Sequence, residues 1–171
     1  MMMNSLVLTG FHARLQALNE RIASLMLALA AIGLVLMAAI IGWQVFGRYV
    51  LNESPQWSES LALLVLLYFI NLGTAVGVRE KFHLGIVFLV EKMPKRLGRI
   101  VDVFGHIVVG LFGILMMISG IDLASYTFDH VIPTLNVSRA VAYLPFAISG
   151  FLILLFSVEH VVSNLLGNQK E

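Results

Sequence analysis

A chain of 171 residues with 59% hydrophobic side chains, only 12% charged and a mean hydropathy of +0.92 is not a soluble domain, which carries about twice that charge. The net charge of +1 gives no basic field for nucleic acid, and the lack of cysteine excludes disulfides, thiolate metal sites and cysteine nucleophiles. These limits predict an all-α integral membrane protein, folded as a single membrane domain over residues 1–171.

Near the start, Phe11, Leu15, Leu18 and Ile22 recur at helical spacing beside Arg14, Glu20 and Arg21. That pattern predicts an interfacial amphipathic helix over about 11–21, too short to cross a bilayer. No charge then occurs from Ile22 to Gly47, which predicts a first transmembrane helix over about 22–47. The run is too long for a signal-peptide core, and Ala28-Leu29-Ala30 lies inside it, so it reads as a retained span.

The next stretch, GRYVLNESPQWSES, mixes charge, aromatics and proline between two apolar runs. Ser54 reads as an N-cap and Pro55 as the first residue of a second helix over about 55–78. Trp57 falls at headgroup depth, and Glu59 falls in the first turn, where the helix dipole favours a carboxylate. Arg48 reaches the same depth from the end of the first helix. Two readings stand: interfacial anchors, or an Arg48–Glu59 pair that locks helix one to helix two or to a partner.

After the second span, Phe82, Ile86, Leu89 and Val90 follow helical spacing beside His83, Glu91 and Lys92. They predict a second interfacial helix over about 82–93, ended by Pro94. The third helix is expected over about 97–122. Its Gly98, Gly105, Gly113 and Gly120 share one arc, with Gly110 off it, and predict close packing within the bundle or against another subunit. Asp102 and His106, four apart, suit a local pair. A fourth helix is expected over about 139–165, with Pro145 near its start. Gln44 and Asn71 are expected to form hydrogen bonds between helices.

Orientation follows from the basic residues. Arg14, Arg21, Arg79, Lys81, Lys92, Lys95, Arg96, Arg99 and Lys170 fall on one side, and Arg48 and Arg139 on the other. The basic side is expected to be cytoplasmic, so both termini lie inside, with the two interfacial helices, and Arg48, Trp57 and Glu59 face outward. The sequence has no phosphate loop, metal cluster or nucleophile–base set. It also lacks the internal repeats and broken helices of a secondary transporter, which points to an accessory subunit.

The run Gly47-Arg48-Tyr49, followed by Trp57-Ser58-Glu59 opening the second helix, resembles the small Q-type (DctQ-like) membrane subunit of TRAP (tripartite ATP-independent periplasmic) transporters, which read R-Y, a short polar loop, then W-x-E-E. The basic, His-containing loop from Arg79 to His83, the segment closing at Met93-Pro94, and Leu135 to Gly150 with Tyr143 and Pro145 are similar to that family too. Together they cover about residues 20–166. Two positions depart from the pattern: Ser60 replaces the second acid, and Gly85, Ile86 and Val87 stand where an acid often follows the histidine.

The resemblance implies a non-enzymatic scaffold in the bacterial inner membrane, part of a sodium-driven importer of an organic acid of the C4-dicarboxylate or sialic acid type. It implies a large multi-span membrane subunit and a periplasmic substrate-binding protein as partners, alongside membrane lipids. Sodium would bind the large subunit, leaving this chain without a cofactor. Arg48, Trp57 and Glu59 would be structural or interface residues. Two other readings remain open on the residues: a haem b subunit ligated by His106 and His160, and a small proton-coupled exporter with Glu59 as carrier.

Overall fold

In the computed structural model the backbone is described for residues 2–53, 55–80 and 95–165, and side chains for 16–53, 55–80, 97–98 and 100–163. The predicted interfacial helix over 82–93, with Phe82, Ile86, Leu89 and Val90, lies outside the described residues, as does Ser54.

Among the described residues, four helices are long and apolar enough to cross a membrane. The first, α1, runs unbroken from Met2 to Tyr49. The segment 11–21 is therefore helical, but it is continuous with the span rather than a separate piece. No Pro or Gly occurs between Phe11 and Ile32 to interrupt the hydrogen-bond ladder, and a change in polarity alone does not end a helix. The apolar part, Gln16–Tyr49, is about 50 Å long, so α1 outreaches a hydrocarbon core of about 30 Å.

The turn after α1 folds back on its last residues. Glu53 N–H donates to Gly47 O at 3.1 Å, and Asn52 takes a left-handed φ of 53°. A Cβ on Gly47 would lie 2.9 Å from Glu53 O and 3.1 Å from Pro55 Cδ, so glycine is needed there. Helix α2 then spans Gln56–Arg79. Pro55, expected as the first helical residue, occupies the cap position instead because its ψ of 113° is extended. Its carbonyl accepts from Ser58 Oγ at 2.7 Å and from Ser58 N–H at 3.2 Å.

Helix α3, Lys95–Tyr126, continues past the expected 122. Hydroxyls satisfy carbonyls in and just beyond its last turn: Ser125 Oγ donates to Asp122 O at 2.8 Å, and Thr127 Oγ1 to Leu123 O at 2.7 Å. A two-stranded antiparallel ribbon follows. β1 (Val131–Ile132) pairs with β2 (Val137–Ser138), and Asn136 turns between them with φ 54°. A 3-10 turn, Arg139–Ala142, leads into α4, Leu144–Leu165. The predicted fourth helix thus divides at Tyr143. Ser138 Oγ accepts from Ala140 N–H at 3.2 Å, and Pro145 sits in the first turn of α4, where its missing N–H is harmless.

The helices pack as an open row, in the order α1, α2, α4, α3. Leu72, Ala75 and Val76 of α2 meet Leu152, Ile153 and Phe156 of α4 at the centre, and Ala23 and Ala30 bring α1 against them. The two ends of the row keep broad apolar faces. Ile32 and Val35 of α1 are 63% and 70% exposed, and Ile100 and Phe104 of α3 are each 65% exposed. Such faces suit lipid or another membrane subunit.

Candidate functional site

The glycine arc of α3 divides into parts that pack and parts that do not. A Cβ on Gly113 would lie 2.8 Å from Gly150 O, and one on Gly120 would lie 2.6 Å from Ala147 N. A Cβ on Gly150 in turn would lie 2.5 Å from Met117 N. Backbone meets backbone along this α3–α4 crossing, as expected for small residues in lipid. Gly98 is buried, but Gly105 has open space beside it. Gly110, expected off the packing arc, faces Ser157 Cβ at 3.2 Å.

At mid-depth, Asn71 of α2 joins α4. Its Oδ1 accepts from Ser149 Oγ at 3.1 Å, and its Nδ2 donates to Leu67 O at 2.8 Å. That interhelical bond was legible from one buried amide. Gln44 makes no such bond among the described residues and lines a groove between α1 and α2.

The predicted outer end carries Arg48, Trp57 and Glu59. Arg48 and Glu59 line the same groove as Gln44, yet no ion pair within 4.0 Å joins them among the described residues. Trp57 is 41% exposed. Ser60, where the resembled pattern has a second acid, accepts from Thr134 Oγ1 at 2.6 Å and so fastens the ribbon to α2. Tyr68 OH donates to Val141 O at 3.0 Å and ties down the 3-10 turn.

The opposite, predicted inner end holds a belt of polar contacts across all four helices. Asn19 Nδ2 of α1 donates to Glu159 Oε2 of α4 at 2.6 Å. Arg79 Nε of α2 stands 3.9 Å from the same oxygen, with side chains 17% and 9% exposed. His160 Nε2 lies 2.9 Å from Arg79 O, and since a carbonyl only accepts, the nitrogen donates. The His160 ring stacks on His106 of α3, with centroids 4.5 Å apart and planes 14° apart. Asp102 Oδ1 is 3.6 Å from His106 Nε2, so the expected local pair forms.

Nothing in spacing or composition pointed to Asn19, Arg79 and Glu159 as a unit. The only signal was opposite charges at the same membrane border, Arg79 closing one helix and Glu159 near the end of another. The belt also bears on haem. Bis-histidine ligation aims one nitrogen from each ring at the iron between them. Here the two rings lie face to face, 4.5 Å apart, so their nitrogens do not point at a shared iron between them, and the pair does not fit that group. Glu59 lies in the first turn of α2 at the rim, not deep in the membrane where a carrier carboxylate would sit.

These features define a small multi-pass helical membrane protein whose buried polar groups largely hold its helices to one another. The chain belongs to the DctQ component family of tripartite ATP-independent periplasmic transporters, whose model matches residues 37–167. It is 25% identical over 133 residues to a putative TRAP transporter small permease protein of Haemophilus influenzae, covering 76% of this chain and 81% of that one. It is 33% identical over 60 residues to the sialic acid TRAP transporter small permease protein SiaQ of Vibrio cholerae, about a third (35%) of each chain. A stretch of 66 residues is 35% identical to the sialic acid TRAP transporter permease protein SiaT of Haemophilus influenzae, covering 39% of this chain and only 11% of that protein.

Proposed function

We propose that this chain is the small, non-catalytic scaffold subunit of a sodium-driven TRAP importer in the bacterial inner membrane, with both termini in the cytoplasm. The observation that carries the reading is the family match over 37–167 together with the open row of helices. A closed bundle would be self-sufficient, whereas a row with apolar faces at both ends suits bracing a larger membrane protein. In this reading the large multi-span subunit holds solute and sodium and performs the transport. The small subunit contributes a stiff outer surface, the first loop with Arg48, Trp57 and Glu59 and the pinned ribbon, beside which the periplasmic binding protein docks.

The solute class is an organic acid. The names of two relatives, SiaQ and SiaT, support sialic acid over a C4-dicarboxylate. Tagged chain extracted in mild detergent should bring down a large multi-span permease at a fixed ratio. Recovery of the chain alone, under conditions that keep other membrane complexes intact, would sink the proposal.

A further inference from the structure

The groove that holds Arg48 and Glu59 has a directional make-up. On α1 it is walled by Met37, Ile41, Gln44 and Arg48, spaced four, three and four apart on one helix stripe. On α2 it is walled by Glu59, Ala62, Leu63 and Leu66, again on one stripe. Both walls are apolar at depth and become charged towards the same end. The groove occupies about 330 Å³. From Met37 to Arg48 it runs about 16 Å, close to half the roughly 30 Å hydrocarbon core, which is one leaflet.

We propose that this groove is a binding site for a single glycerophospholipid with a primary ammonium headgroup, such as phosphatidylethanolamine. Arg48 takes the phosphate, since a guanidinium forks onto two phosphate oxygens. Glu59 accepts N–H bonds from the ammonium. An acyl chain lies along Leu63, Leu66, Ile41 and Met37. Three observations favour a lipid over a partner helix. The groove is one leaflet long, whereas a helix crosses both. Apart from Ala62, its walls are long side chains rather than the small residues that helix-on-helix contact selects. The cation and the anion share one rim without pairing with each other, which complements a zwitterion.

The inference stands on the groove alone and does not depend on the transporter reading, so assembly with a large subunit can survive its failure. The test is native mass spectrometry of the purified full-length chain, with any copurifying subunit retained, against added phosphatidylethanolamine, phosphatidylcholine and phosphatidylglycerol. The expected result is several-fold greater retention of phosphatidylethanolamine than of phosphatidylcholine, whose quaternary nitrogen cannot donate. Glu59→Gln should reduce that preference to near parity while keeping overall lipid binding. Arg48→Ala should lower retention of all three lipids, with Arg48→Lys partly restoring it. Equal retention of the three lipids by the unmodified chain, or a preference untouched by Glu59→Gln, overturns the proposal. So does crosslinking of both residues to a partner subunit with no lipid retained, which would assign the groove to protein.

Discussion

Asn19 and Glu159 lie 140 residues apart in sequence and meet through a 2.6 Å hydrogen bond at the predicted inner end of the row. Glu159 also faces Arg79, so one carboxylate gathers α1, α2 and α4. Asn19 is 1% exposed, and Glu159 is the partner of its amide nitrogen. Buried groups of this kind are expensive to leave unmatched. Glu159→Ala is expected to destabilise the folded chain by on the order of 3 kcal/mol, because it strands the buried Asn19 amide and takes the counter-charge from Arg79 Nε, leaving that guanidinium only Glu80, at 3.2 Å from its Nη1. Glu159→Gln, which keeps an acceptor for Asn19, should lose less. Thermal unfolding in detergent orders the three proteins; equal melting of Glu159→Ala and the unmodified chain would refute the clamp.

The α3–α4 crossing makes a contrast between two glycines. At Gly120 an added methyl meets the Ala147 backbone at 2.6 Å, and backbone cannot yield cheaply. At Gly105 it meets nothing. Gly120→Ala should therefore destabilise by about 1–3 kcal/mol, as overpacking does. Gly105→Ala should be neutral or stabilising by up to about 1 kcal/mol, through helix propensity alone. The same melting assay checks both, and a reversed order would show that the crossing is placed on the wrong face of α3.

For Arg48 and Glu59, the lack of an ion pair changes what a charge swap should do. If the two were locked together, Arg48→Glu combined with Glu59→Arg would restore what either single change loses. Since each faces the groove separately, the double reversal is expected to behave no better than the worse single variant. Recovery of the complex from detergent extracts measures this, and full rescue by the swap would establish a direct pair.

Ser149→Ala removes the bond to Asn71 and leaves a buried amide oxygen without its donor. Interhelical bonds in membranes contribute about 0.6 kcal/mol on average, so the expected loss is well under that of Glu159→Ala. A larger loss than at Glu159 would mean that the mid-depth bond, and not the inner belt, carries the row.

The four spans were legible because charge stops and starts sharply at Ile22, Ser60, Val103 and Ala140, and hydrocarbon tolerates little else. Asn71, Gly113 and Gly120 were legible because a buried amide and small residues in lipid have few alternative uses. The fusion of 11–21 with the first span was not, because amphipathic pattern marks which face is wet and not where a helix stops. The ribbon was hidden by its brevity: two residues per strand, at Val131 and Val137, carry no measurable alternation. The Asn19–Glu159–Arg79 contact was hidden because it depends on the order α1, α2, α4, α3, which no local signal contains. Gly110 rather than Gly105 meets α4, since a Cβ there would lie 3.2 Å from Ser157 Cβ while nothing lies within 4 Å of one on Gly105, a distinction that seven-residue spacing does not carry.

Solute uptake by proteoliposomes tests the scaffold role most directly. Vesicles holding this chain together with its large partner, supplied with the binding protein and an inward sodium gradient, should accumulate the organic acid, and vesicles lacking this chain should not. Accumulation by vesicles that contain this chain alone would contradict the scaffold role, because it would place the transport site within these four helices.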